Sequence, residues 1–102
     1  MAESIYRETK SFPKEETYGI TSQMRRSAVS VAANIAEGHG RNTTGEFKQF
    51  LGIAKGSLAE LETLVILCGR LGLMKTEITE STLGNCEEVS KMIVGLIKSL
   101  AK

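Results

Sequence analysis

The chain has 102 residues, with 13 Lys and Arg against 12 Asp and Glu, one His and two Cys. That length suits a single domain over residues 1–102, and area scaling allows burial of roughly 65% of the unfolded surface. A formal charge of +1 supplies no large field to draw in nucleic acid, a membrane or an acidic partner.

The opening run, Met1 to Glu8, contains no apolar signal region, so the chain is read as cytoplasmic. A short first helix is expected over about Ala2 to Ser11, offering only Ile5, Tyr6 and Phe12 to a core. Phe12-Pro13 breaks it, because a residue before proline avoids the α region. From about Ile20 to Glu37, Ile20, Met24, Ala28, Val31 and Ile35 share one face of a second helix. Gly38 and Gly40 are expected to end it. The clearest helical pattern runs from Thr44 to Leu71. Phe47, Phe50, Ala54, Ser57, Leu61, Leu64, Cys68 and Leu71 alternate steps of three and four, and Leu51, Leu58 and Val65 add a second stripe. So wide an apolar face needs more than one neighbouring helix. Thr43 and Glu46 form a capping box before it, and Gly72 follows it.

The last helix carries Cys86, Val89, Ile93, Leu96 and Leu100 at the same spacing, with Leu83, Met92 and Ile97 alongside. Thr76 or Thr79 caps it, Glu77 and Glu80 suit its first turn, and Lys98 and Lys102 suit its last. Sustained apolar/polar alternation is missing, and no apolar run reaches the 18 or so residues of a membrane span. The fold predicted is all-α, an antiparallel up-and-down four-helix bundle with a short first helix. The short first helix leaves apolar groove uncovered, which invites a partner helix or a copy of the chain.

Several motifs carry a resemblance over nearly the whole chain. Ser11-Phe-Pro-Lys-Glu-Glu16, Tyr18-Gly-Ile-Thr-Ser-Gln-Met-Arg-Arg26, Asn34-Ile-Ala-Glu-Gly38, Glu46-Phe47, Gly56-Ser-Leu-Ala-Glu-Leu-Glu-Thr63 and Gly95-Leu-Ile-Lys-Ser-Leu100 occur in order. In these the chain resembles the bacterial four-helix-bundle family of 23S rRNA intervening-sequence, or S23-type, proteins. The resemblance implies a homo-oligomer, commonly a ring of five subunits. It implies no defined chemistry, although a distant relative, the accessory protein of diversity-generating retroelements, binds nucleic acid. The chain departs from the family pattern in lacking tryptophan and in its shorter first helix.

Catalytic constellations are hard to assemble. Gly40-Arg-Asn-Thr-Thr-Gly45 has the glycine spacing of a phosphate-binding loop, but Glu46 and Phe47 stand where Lys and Ser or Thr are needed. The expected reading is a turn whose glycines supply positive φ while Thr43 caps. A di-metal bundle site needs Glu-x-x-His pairs, and the sole histidine, His39, belongs to none. Cys68 and Cys86 are too few for zinc and read as buried free thiols, with a disulfide the other option. No enzyme, cofactor or metal is therefore expected.

Three structural features remain. Arg26, Ser30 and Asn34 on the second helix, with Ser57 and Glu60 on the third, are expected to form a polar seam in which Arg26 pairs Glu60 and Asn34 bonds Ser57. Gly52 and Gly56 are expected to permit close helix packing, inside the bundle or across an interface. Arg25, Arg26, His39, Arg41, Lys48 and Lys55 read as a mixed solvated face or as a basic patch. Nucleic-acid contact would then fall on Arg25, Arg41 and Lys48. The expected function is a non-enzymatic, self-assembling scaffold, with an RNA- or DNA-binding accessory protein as the alternative.

Overall fold

The structure, a computed structural model, describes residues 1–16 and 19–100. Tyr18 of the family-like motif and Lys102, expected in the last helical turn, lie outside the described residues. The elements are α1 (Ala2–Thr9), a 3-10 turn (Lys14–Glu16), α2 (Ile20–His39), α3 (Thr44–Arg70) and α4 (Thr76–Leu100). This is the all-α, up-and-down four-helix bundle with a short first helix that the spacing predicts. Successive helices pack in pairs, α1 on α2, α2 on α3 and α3 on α4, so α2 and α3 each lie between two neighbours.

Local chemistry sets the boundaries. The Thr9 hydroxyl donates to the Ile5 carbonyl at 2.8 Å, and the Lys10 N–H turns back to the Arg7 carbonyl, tightening the end of α1 short of Ser11. Thr43 caps α3 by accepting from the Glu46 N–H at 3.1 Å, and its hydroxyl reaches the Glu46 carboxylate at 3.1 Å. At the other end Gly72 takes φ +76, the one positive φ among the described residues. The Leu73 N–H then reaches the Cys68 carbonyl and the Gly72 N–H the Gly69 carbonyl, a complete Schellman closure. α4 starts at Thr76, so Thr79 stands inside the first turn, its hydroxyl donating to the Lys75 carbonyl.

Gly40 ends α2 as its C-cap, as the sequence suggests, whereas Gly38 does not. α2 runs through Gly38 to His39, and Gly40 keeps a right-handed φ of −82. Neither supplies the left-handed turn. What Gly38 supplies is space: a Cβ there would lie 2.7 Å from the Phe50 Cβ and 3.0 Å from the Phe47 ring. α2 and α3 therefore approach closely just before their connection.

The core comprises Ile5, Met24, Ala28 and Val31 with Leu51, Leu58, Leu61, Val65, Cys68, Cys86 and Ile93, all buried. Each such aliphatic side chain is worth about 1.5–3 kcal/mol on burial. On α3 both stripes reach the core, with Leu51, Leu58 and Val65 of one and Ala54, Leu61, Leu64 and Cys68 of the other all buried. Phe47, Phe50 and Ser57 are half-buried, and Leu71 is 61% exposed. Both cysteines are free and buried, as read from the sequence. Cys68 donates to the Met24 sulfur at 3.3 Å. Burial, reinforced by Glu16, pushes the Cys68 thiol up to about 11. Cys86 also rises to about 11, through burial and Glu62 against a lowering influence of the N-terminus.

Candidate functional site

Three surfaces hold the residues singled out from the sequence. The first is the edge between α2 and α3. Here the Ser30 and Ser57 hydroxyls meet at 2.8 Å, and the Asn34 amide donates to the Ser30 carbonyl at 2.8 Å and hydroxyl at 3.0 Å. Asn34 thus bonds its own helix, and Ser30 carries the link expected of Asn34. Arg26 and Glu60 are both exposed, and the ion pairs among the described residues are Arg41–Glu37 and Lys91–Glu87. The expected Arg26–Glu60 pair is not made. A row spaced four residues apart turns about 40° per step around a helix, so Arg26 falls well outside the face that Asn34 reaches.

The second surface is basic, and the structure divides it. The Arg25 Nε donates to the Thr9 hydroxyl at 2.8 Å, and its guanidinium lies 4.7 Å over the Tyr6 ring. Arg25 is a strut between α1 and α2. Arg41, beyond the far end of α2, pairs with Glu37 and sits 4.9 Å over the Phe50 ring. The helix between them spans about 21 Å, so Arg25, Arg41 and Lys48 do not form one patch. The α2–α3 turn instead gathers an aromatic corner: His39 meets Phe47 edge-on at 5.8 Å beside the Arg41–Phe50 stack. The sequence reading does not anticipate this corner, because Phe47 and Phe50 belong to the helix that follows His39 and Arg41. The signal was the antiparallel turn, which lays the first turn of α3 on the last turn of α2.

The third surface is the outward face of α3. A Cβ built on Gly45, Gly52 or Gly56 meets nothing within 4 Å, so the close packing expected at Gly52 and Gly56 is not made inside the chain. Around them Ile53, Ile66 and Leu67 are 47, 44 and 43% exposed. From Gly52 to Leu67 the exposed positions are Gly52, Ile53, Lys55, Gly56, Ala59, Glu60, Thr63, Ile66 and Leu67, so this face carries two charges, Lys55 and Glu60. Elsewhere Met92 and Leu96 of α4 are 67 and 40% exposed. Among the described residues no three His, Cys, Asp or Glu side chains gather as metal ligands. No described helix is long and apolar enough to cross a membrane.

The architecture and motifs agree with known proteins. A crystal structure of a protein of unknown function from the S23 ribosomal protein family of Bacteroides thetaiotaomicron superposes with a TM-score of 0.84. The two are 25% identical, over 95% of this chain and 88% of the other. No curated protein matches. Neither likeness indicates an enzyme family. The sequence profile of the 23S rRNA-intervening sequence proteins matches residues 1–95, and the chain belongs to that family.

Proposed function

We propose that this protein is a non-enzymatic module that assembles with copies of itself as a scaffold or interaction element. The outward face of α3 carries this reading. Interior glycines cost a helix up to about 1 kcal/mol each relative to alanine, and nothing within the chain exploits the space at Gly52 and Gly56. The isolated chain exposes 6486 Å², whereas a typical monomer of this mass exposes roughly 5,700 Å². The surplus is about the 800 Å² that one partner gives to a standard interface. The family resemblance suggests a ring of five. Native mass spectrometry at micromolar concentration is expected to find a mass near five chains, and a clean monomer would refute the proposal.

A second reading, nucleic-acid binding, draws on the corner at the α2–α3 turn. Half-buried Phe47 and Phe50 beneath His39 and Arg41 combine the stacking and positive groups that single strands use. Assembly would repeat that weak corner around an axis and raise its avidity. RNA affinity that falls steeply with salt would support it. Absence of RNA and DNA binding at low salt ends this reading and leaves self-assembly standing.

A further inference from the structure

We infer that the cleft between the end of α1 and the α3–α4 turn binds a small zwitterion with an apolar body, of the class of an apolar α-amino acid. The cleft shares no residue with the outward face of α3, so the inference stands apart from self-assembly.

The cleft follows from how the helices pair. α1 packs on α2 and α4 on α3, and the backbones of α1 and α4 do not meet. Where the end of α1 passes the α3–α4 turn, a recess of about 280 Å³ remains. Pockets for drug-sized ligands begin at about 300 Å³, so the occupant is small. Both walls are apolar at depth. Phe12 lines the α1 side, and Leu73, Met74 and Ile78 line the other. Phe12 and Met74 are 9 and 6% exposed, which makes them fixed parts of the core. The turn wall is also held in place. The Gly72 and Leu73 N–H groups bond back to α3, and the Lys75 carbonyl accepts from the Thr79 hydroxyl at 3.0 Å and the Thr79 N–H at 2.9 Å. A wall ordered in advance spares the ligand that cost.

Charge selects the class of occupant. Of the charged side chains, Glu8 lines the cleft from α1 and Lys75 lines it from the turn, while their neighbours Arg7, Lys10 and Glu77 stay outside the lining. Glu8 is half-buried, and neither it nor Lys75 enters an ion pair among the described residues. A carboxylate in that setting suits an ammonium group, and a lysine suits a carboxylate, through charge-assisted hydrogen bonds. A simple cation or a simple anion would satisfy one wall and be repelled by the other. A hydrocarbon would fill the recess and satisfy neither. A molecule with both charges and an apolar side chain answers all three features.

Backbone amide NMR of the full chain tests the site, with L-leucine and L-phenylalanine as probes. Saturable shifts are expected at Ser11, Gly72, Leu73 and Lys75, with a dissociation constant on the order of 1 mM or below for so small a ligand. N-acetyl-leucine lacks the ammonium group and leucinamide lacks the carboxylate, so each should bind more weakly than leucine. Glu8→Gln keeps the side-chain shape and should weaken leucine binding about tenfold, the worth of one charge-assisted hydrogen bond. Its helical circular dichroism should be unchanged. Lys75→Gln, at an exposed position, should weaken it by only about threefold. The inference is overturned if neither amino acid shifts these amides at ten times the expected dissociation constant, or if the shifts fall on another surface. Equal binding of N-acetyl-leucine, or full affinity in Glu8→Gln, would overturn it as well, because the charges would then play no part.

Discussion

Gly38 and Gly56 sit in neighbouring helices of one chain, and their surroundings are opposite. At Gly38 the Phe50 Cβ already occupies the position where a side chain would begin, 2.7 Å away. At Gly56 there is nothing within 4 Å. The first glycine is explained inside the chain, because it brings α2 against the two phenylalanines that open α3. The second is a cost in helix propensity without a return in the isolated chain, and its explanation belongs to whatever covers α3. Identical residues in similar helices thus divide the molecule into a closed end and an open face.

The largest effect expected from breaking that contrast is at the closed end. Gly38→Val should lose about 3 kcal/mol in urea unfolding, since overpacking against ring and backbone forces the helices apart. Raising the pH probes the interior more gently. The thiols of Cys68 and Cys86 are both raised to about 11, while an unfolded thiol ionises near 8.5. A folded state that holds its protons more tightly is favoured below the unfolded value and loses that advantage as pH climbs through the folded one. Unfolding free energy should therefore fall between about pH 9 and 11, by on the order of 2 kcal/mol for each thiol, and fall about half as much in Cys68→Ala.

The open face should respond in the other direction. Gly56→Ala is expected to raise the stability of dissociated chains by up to about 1 kcal/mol, measured by unfolding at dilution. Gly56→Leu should leave their helical circular dichroism unchanged while the oligomer mass drops. An unchanged mass would show that α3 stays bare in the assembly, and the contrast with Gly38 would lose its meaning. Smallest of all is Arg41→Glu, which exchanges an exposed ion pair for a repulsion and should cost under about 1 kcal/mol. Its measurable consequence would be weaker RNA retention at low salt, if the corner binds nucleic acid.

Much of this architecture was legible in the residues. Steps of three and four fixed the number and order of helices, and Thr43 and Gly72 marked the ends of α3 because capping is local chemistry. Properties that depend on how two helices meet were less legible. Gly38 before a turn reads as a helix stop, and only the position of Phe50 shows it to be a spacer. Arg26 and Asn34 look like one row, yet the rotation of that row carries Arg26 away from Glu60. The longer stripe through Phe47 and Leu71 reads as continuous, yet within it only Ala54, Leu61, Leu64 and Cys68 are buried like Leu51, Leu58 and Val65. Both stripes fit the period, and depth was decided by the placement of α2 and α4. Gly52 and Gly56 stood out from the start, but not the side of α3 from which they look outward.

The shortness of α1 has a consequence for motion. Eight residues are too few to hold a helix in water without support, so α1 exists only while docked. Its moorings are Ile5 in the core and the Arg25 contacts to Thr9 and Tyr6. Hydrogen exchange should find α1 opening as a separate unit before the other three helices yield. Each opening would bare the end of the core where Met1, Ala2 and Ile5 pack in one cluster with Cys86. The alkylation rate of Cys86, compared with that of Cys68, would then serve as a clock for how often the first helix lets go.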